Sequence, residues 1–219
     1  MVSFREMLFE DTLKIRSLIP NETPKRTLQA AFMTTFGFDS ELLLPLVKAN
    51  VHLVVANDYA KDTAYIPVIE NYNGIDGLTV IQPSKQIHGV FYSCFHPKLW
   101  FLKFPDFLRV VVSSGNLTTL DWSIWSNCLW YQDFYKKSMI LKETEQKEKD
   151  SPKNFNYDKE FRETLEDYMK KIIPKNINNY KNFLKFDLDD YIFENIDIIL
   201  IPSYPGRHKD STYGLSKVR

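Results

Sequence analysis

Several runs of strand length in this chain are apolar at almost every position. They are LQAAFMTTF at 28–36, VHLVVA at 51–56, LWFLKF at 99–104 and LRVVVSS at 108–114. A strand with one wet face alternates apolar and polar residues, whereas a strand apolar throughout must be covered on both faces. Helical spacing lies between and after these runs. Leu42, Leu43 and Leu46 share the core side of a helix predicted over Glu41–Lys48, which Asp39 or Ser40 can cap. Phe161, Leu165, Tyr168, Met169 and Ile172 share one face over Phe155–Ile172, and Asn176–Phe186 is a second helix candidate. Strands alternating with helices give an α/β fold, an α-β-α sandwich with a mixed sheet and helices on both faces.

The remaining segments fill in that plan. Leu78–Gln82 and Cys128–Phe134 read as further strands, and Ile196–Ile201 (IDIILI) as a late buried strand. Pro105-Asp106 turns a hairpin between His96–Phe104 and Leu108–Ser114, and Leu117–Trp125 is a turn plus a short helix. Residues 1–26 read as a short helix or ordered arm, and 57–77 as a loop region with room for a short element. The stretch 142–154 is charged and nearly free of apolar residues, a solvated loop or linker inside a single domain spanning 1–219.

Charge excludes some functions. Lysine plus arginine is 28 and aspartate plus glutamate is 28, so neither a basic arm nor an acidic tail carries the function. Cys94 and Cys128 are too few for a disulfide scaffold and lack zinc-type spacing, so a reducing compartment is the default. No run of about 18 apolar residues marks a membrane span. The N-terminal segment carries Arg5, Glu6, Glu10, Asp11 and Lys14 and does not read as a signal peptide.

One constellation carries chemistry: His96-Pro97-Lys98, then 17 residues, then Asn116. On an extended chain His96 and Lys98 emerge on the same face, about 6.6 Å apart. The hairpin returns the chain alongside, so Asn116 reaches the same mouth. A neutral imidazole is a nucleophile or proton carrier near neutral pH. A lysine supplies a point charge for phosphoryl oxygens and an asparagine supplies N–H donors. The set suits an anionic phosphoryl group, with no metal and no nucleotide cofactor needed.

The surrounding text resembles the tyrosyl-DNA phosphodiesterase family of the phospholipase D superfamily. That family has H-x-K, an apolar strand, a short turn, L-R-V-V, a small-residue–S-x-N-L segment and a D-W pair. Here these read His96-Pro97-Lys98, LWFLKF, Leu108-Arg109-Val110-Val111, Ser113-Ser114-Gly115-Asn116-Leu117 and Asp121-Trp122. Other phospholipase D members use H-x-K-x-x-x-x-D. Lys103 holds the aspartate position here, a departure shared with the tyrosyl-DNA branch. Ser203-Tyr204-Pro205-Gly206-Arg207 is similar to the S-T-P-G-R segment that closes the family's first half. The resemblance is clearest over 88–135 and 196–215.

The resemblance implies an activity and its residues. His96 matches the nucleophile that forms a covalent phosphohistidine with the 3′ end of DNA. Lys98 and Asn116 match the residues that bind the phosphoryl oxygens. Tyr92 matches an aromatic that stacks on a base, a contact worth about 1–3 kcal/mol, and Ser114 falls in the segment expected at the DNA. The implied partner is DNA with a blocked 3′ end, the implied setting is DNA repair in the nucleus, and no membrane partner is implied. The family carries two H-x-K-N sets, and the second supplies the general acid. This sequence has one, because His52, His88 and His208 do not begin H-x-K. The chain is accordingly read as a fragment, a truncated gene product or a half-enzyme that pairs with a second H-x-K-N domain. Two other readings stand beside it: a catalytically incomplete DNA-end-binding half, and a single-motif homodimeric phosphodiesterase or nuclease.

Other residues have plainer readings. Cys94 is expected to be a buried structural thiol. Trp100, Phe101, Trp122, Trp125 and Trp130 are expected mainly in the core, since they sit in apolar runs. Lys85, Lys103, Arg109, Lys136, Lys137, Arg207 and Lys209 are expected as scattered surface charge rather than a phosphate track.

Overall fold

The computed structural model describes residues 27–57, 68–83, 95–140, 155–204 and 213. Its centre is a seven-stranded sheet, built from β1 (Ala30–Thr35), β2 (His52–Asn57), β3 (Val68–Ile69), β4 (Leu78–Ile81), β5 (Leu99–Lys103), β6 (Phe107–Ser113) and β7 (Leu129–Tyr135). The spatial order is β3-β4-β2-β1-β5-β6-β7. β1, β2 and β4 run parallel, and β3, β5, β6 and β7 are joined by antiparallel pairings. The helices are α1 (Ser40–Lys48), α2 (Thr119–Ser123), α3 (Lys137–Ile140), α4 (Phe155–Ile172) and α5 (Tyr180–Leu184).

Period-2 alternation divides the strand residues between two cores. Phe32, Val54, Phe101 and Val110 face one side, where Phe161, Leu165, Tyr168, Met169 and Ile172 of α4 and Leu184 of α5 cover them. Ala31, Met33, Leu53, Val55, Trp100 and Leu102 face the other side, with Leu43 and Leu46 of α1. Both faces are therefore dry, which is why these strands carry no polar alternation. Burying each large side chain of α4 contributes about 1.5–3 kcal/mol, enough for an amphipathic helix whose opposite face is laced with ion pairs such as Arg162–Glu166.

The expected hairpin forms in register, with Leu99 opposite Val112 and Lys103 opposite Leu108. Its first strand begins at Leu99 rather than His96. The Thr34 hydroxyl causes the shift, donating to Leu99 O at 3.1 Å and accepting from Leu99 N at 2.8 Å. A side chain thereby takes the main-chain positions where the β1–β5 ladder would continue. The last paired residues are Met33 and Trp100, and 95–98 leave the sheet.

Other expectations need correction. Ile196–Ile201 has no regular secondary structure and is not a strand. The chain before it meets the sheet at the end of β7, where Tyr191 bridges Lys136 and Ile192 N donates to Tyr135 O at 2.9 Å. The segment lies on α4 instead: Ile196 N donates to Asp158, and Tyr168 OH donates to Ser203 O. Ile196 is buried while Ile199 and Ile201 are exposed. Asn176–Phe186 yields only the short α5, which ends at Lys185 in the left-handed region. The described part of 57–77 holds the two-residue β3 and a 3₁₀ turn at Tyr72–Gly74, in keeping with a loop region that has room for a short element. Trp100 and Phe101 are fully buried, but Trp125 is 58% exposed. Residues 1–26, the 142–154 linker and the Pro205-Gly206-Arg207 portion of the closing segment lie outside the described residues.

Candidate active site

The site forms where β1 ends, β5 begins and β6 ends. In open α/β sheets the carboxyl ends of the parallel strands are where ligand crevices lie. Beyond the start of β5, the continuations of β1 and β6 close on each other. Leu117 N donates to Gly37 O at 3.2 Å and to the Thr35 hydroxyl at 3.1 Å, and Asp39 N donates to Leu117 O at 2.9 Å. Asn57, at the end of β2, donates to Phe36 O at 2.7 Å and fastens the same corner. The segments 35–39 and 113–117 thus form a stiff collar around residues 95–98.

Within that collar His96 is exposed and Lys98 is buried, at 6% exposure. The Lys98 side chain folds back, with Nζ 2.6 Å from His96 Nδ1, 3.2 Å from Nε2 and 3.0 Å from His96 O. The ring of Phe36 packs tilted against the imidazole, 5.0 Å between centroids. On the far side, Phe36 N donates to Asn116 Oδ1 at 3.3 Å. The three residues singled out from the spacing are therefore gathered at one end of the sheet: His96 and Lys98 touch, and Asn116 joins them through Phe36.

Burial and charge act on the imidazole together. Partial burial pushes the His96 pKa below its ordinary value, and the nearby Lys98 ammonium pushes it the same way. A backbone hydrogen bond and the charge of Asp121 act in the opposite sense. The ring is thus held in its neutral form, with a nitrogen lone pair available, further into the acid range than a free histidine.

The remaining sequence candidates divide. Ser114 is exposed, and its hydroxyl donates to Asn127 Oδ1 at 2.8 Å and accepts from Cys128 N at 2.9 Å, so it staples the turn between β6 and β7. Tyr92, Cys94, Lys85, His88, Arg207, His208 and Lys209 lie outside the described residues. Arg109 is not loose surface charge: it meets Asp133, its partner across β6–β7, at 2.6 and 2.8 Å beneath the Tyr131 ring. Lys103 donates to Lys185 O, and His52 Nε2 lies 2.6 Å from Phe183 O, both at the other end of the sheet.

Two neighbours of the site received no role from the sequence. Phe36 reads as the last residue of a buried strand, yet it is 42% exposed against His96. Asp121 reads as one letter of a D-W pair, yet it is a buried carboxylate beside Asn116. The second was open to detection, since Thr118-x-x-Asp121 has capping-box spacing that sets a short helix directly after Asn116.

No curated protein matches the chain. The family model described as tyrosyl-DNA phosphodiesterase matches residues 6–219, nearly the whole sequence and all of the site. With its α/β sheet and the H-x-K and Asn collar at the sheet's end, the chain belongs to the tyrosyl-DNA phosphodiesterase family, whose members are phosphodiesterase hydrolases of DNA repair.

Proposed function

We propose that this chain acts on DNA whose 3′ end is blocked by a phosphotyrosyl adduct, with His96 as nucleophile and Lys98 and Asn116 as phosphoryl ligands. One observation carries the reading: an exposed imidazole, held below its ordinary pKa, lies against a buried ammonium 2.6 Å away. A buried cation with one water-facing neighbour suits an entering anion. A phosphoryl oxygen can take the place of the imidazole as acceptor from Lys98.

The chemistry then runs in two displacements. A His96 ring nitrogen attacks the 3′ phosphorus, forming an N–P bond as the P–O bond to tyrosine breaks. Charge building on the equatorial oxygens is offset by the Lys98 ammonium and an Asn116 N–H. The departing phenolate takes a proton, since phenol has a pKa of about 10. Water then attacks phosphorus, breaks the N–P bond and releases a 3′-phosphate, restoring the imidazole. This sequence has one H-x-K set, and by this reading a second set supplies the acid for the leaving group, whether from a further part of the protein, a partner chain or another copy of this one. Tyr92 is placed by this reading beneath a base of the bound strand.

Trapping tests the reading. A 3′-phosphotyrosyl oligonucleotide, quenched in denaturant, is expected to leave a covalent adduct on the wild type and none on His96→Ala. Lys98→Ala is expected to slow adduct formation by about 10²-fold or more. The acid serves the leaving tyrosine, so its absence slows the first displacement itself by about 10²–10⁴-fold, and the adduct is read after long incubation against the His96→Ala blank. Adduct formation by His96→Ala at the wild-type rate would overturn the assignment.

A further inference from the structure

Asparagine is a useful phosphoryl ligand only in one orientation. Its N–H side attracts an anionic oxygen, and its carbonyl side, a half-turn away in χ2, repels it. Something must therefore hold the Asn116 carboxamide. Asn116 Oδ1 accepts from Phe36 N at 3.3 Å, and Asn116 Nδ2 stands 3.5 Å from Asp121 Oδ2. A backbone N–H can only donate and a carboxylate can only accept, so the two partners agree on a single orientation. They leave the second Nδ2 hydrogen without an acceptor among the described residues.

The carboxylate is itself fixed. Asp121 is 6% exposed on the first turn of α2. The Thr118 hydroxyl donates to Asp121 Oδ2 and accepts from Asp121 N at 3.2 Å. Trp122 Nε1 donates to Asn116 O at 2.6 Å, so consecutive residues of α2 hold the side chain and the main chain of Asn116. Asn127 Nδ2 donates to Asp121 O at 2.7 Å and ties the helix to the β6–β7 turn.

We infer that Asp121 is a positioning residue, which turns the Asn116 carboxamide so that an N–H, and not the carbonyl, faces the phosphoryl group. This rests on the phosphoryl-binding role proposed above. It explains why a buried carboxylate is tolerated beside a site meant for anions. Taken as a point charge alone, Asp121 opposes phosphate binding; as an acceptor for Asn116 it permits it.

The two effects have opposite signs, so binding separates them. The probe is an oligonucleotide ending in 3′-phosphate, which needs no turnover, with affinity read by fluorescence anisotropy. Asp121→Ala is expected to weaken binding about tenfold despite removing a negative charge. Asp121→Asn, whose Oδ1 can still accept from Asn116, is expected to bind within about twofold of wild type. The Asn116→Ala/Asp121→Ala double variant is expected to bind no worse than Asn116→Ala alone. Unchanged or tighter binding by Asp121→Ala, or additive losses in the double variant, would overturn the inference. Should Asp121→Ala fail to fold, Asp121→Ser carries the same comparison, its hydroxyl able to serve Thr118 but too short for Asn116. The Asn116 side-chain amide resonances give a readout with no ligand present. They are expected to move in Asp121→Ala and hold in Asp121→Asn, and failure to move in Asp121→Ala sinks the positioning role by itself. If they move and the wild type binds no 3′-phosphate in a Lys98-dependent way, the proposed function fails while the carboxamide latch stands.

Discussion

The contact between His96 and Lys98 has a consequence for pH. A cation 2.6 Å from an imidazole nitrogen disfavours a second positive charge there, and the larger effect, partial burial of the ring, works in the same direction. A lowered pKa means that the neutral form outlasts that of a free histidine, pKa about 6.5, as pH falls. Adduct formation should accordingly hold its rate into the mildly acid range before protonation removes the lone pair. The His96 ring resonances should titrate below the ordinary value in the wild type. In Lys98→Met they should titrate higher, with part of the depression kept, because burial remains when the charge is gone. A ring that titrates identically in both proteins would show that the ammonium does not act on it.

Among elements, the junction of α1 and α2 decides how firmly the collar is held. Asp39 stands at the N-cap position of α1, as its place before the Leu-rich helix predicts, but its carboxylate does not cap that helix. Asp39 Oδ2 instead accepts from Thr119 N, the first residue of α2, at 2.7 Å. Asp39→Ala is expected to lower stability by about 1 kcal/mol, the usual scale for a lost helix-terminal acceptor. Hydrogen exchange locates the loss: the Thr119 amide should lose protection while Leu42 and Leu43 keep theirs, and the reverse would return Asp39 to its own helix. The case also marks where sequence reading stops. The doubly apolar runs disclose the sheet and its two covers, because burial on both faces must be written in every residue. The H-x-K spacing makes the contact of His96 with Lys98 legible, because a long side chain two residues on can fold back to the ring. By contrast, the Asp39–Thr119 and Phe36–Asn116 contacts turn on which of several nearby partners a short polar side chain selects. Thr34 cutting the β1–β5 ladder short, and Ile196–Ile201 lying on α4 rather than joining the sheet, are choices of the same kind. They depend on tertiary neighbours and have no period to betray them.

Over the whole molecule, the sheet and the α4–α5 layer are joined far from the site by His52. It lies on β2, half-buried, with Nε2 2.6 Å from Phe183 O of α5. A carbonyl only accepts, so the ring donates from Nε2 and is satisfied as a neutral tautomer. Burial lowers its pKa, and the charges of Lys185 and Lys103 lower it further, against the opposing effect of the Phe183 bond. For a histidine depressed in the folded state, the unfolded chain binds the proton more readily. Its contribution to stability is complete above the unfolded value near 6.5 and falls away as pH drops toward the folded value. Glu166 and Asp189, held below their ordinary values first by hydrogen bonds from Lys170 and Lys181, also lose their contribution as pH falls, but lower down, in the carboxylate range. Among the described residues, His52 and His96 therefore set the slope between pH 7.5 and 5. His52→Gln keeps an Nε2 donor for Phe183 and removes the titration. Urea unfolding across that range should show the wild type losing stability faster than the variant as pH drops, and the difference between the two curves isolates His52 from the other histidines. Parallel curves would mean that the ring is not held neutral, and that the link between sheet and helix layer is indifferent to protonation.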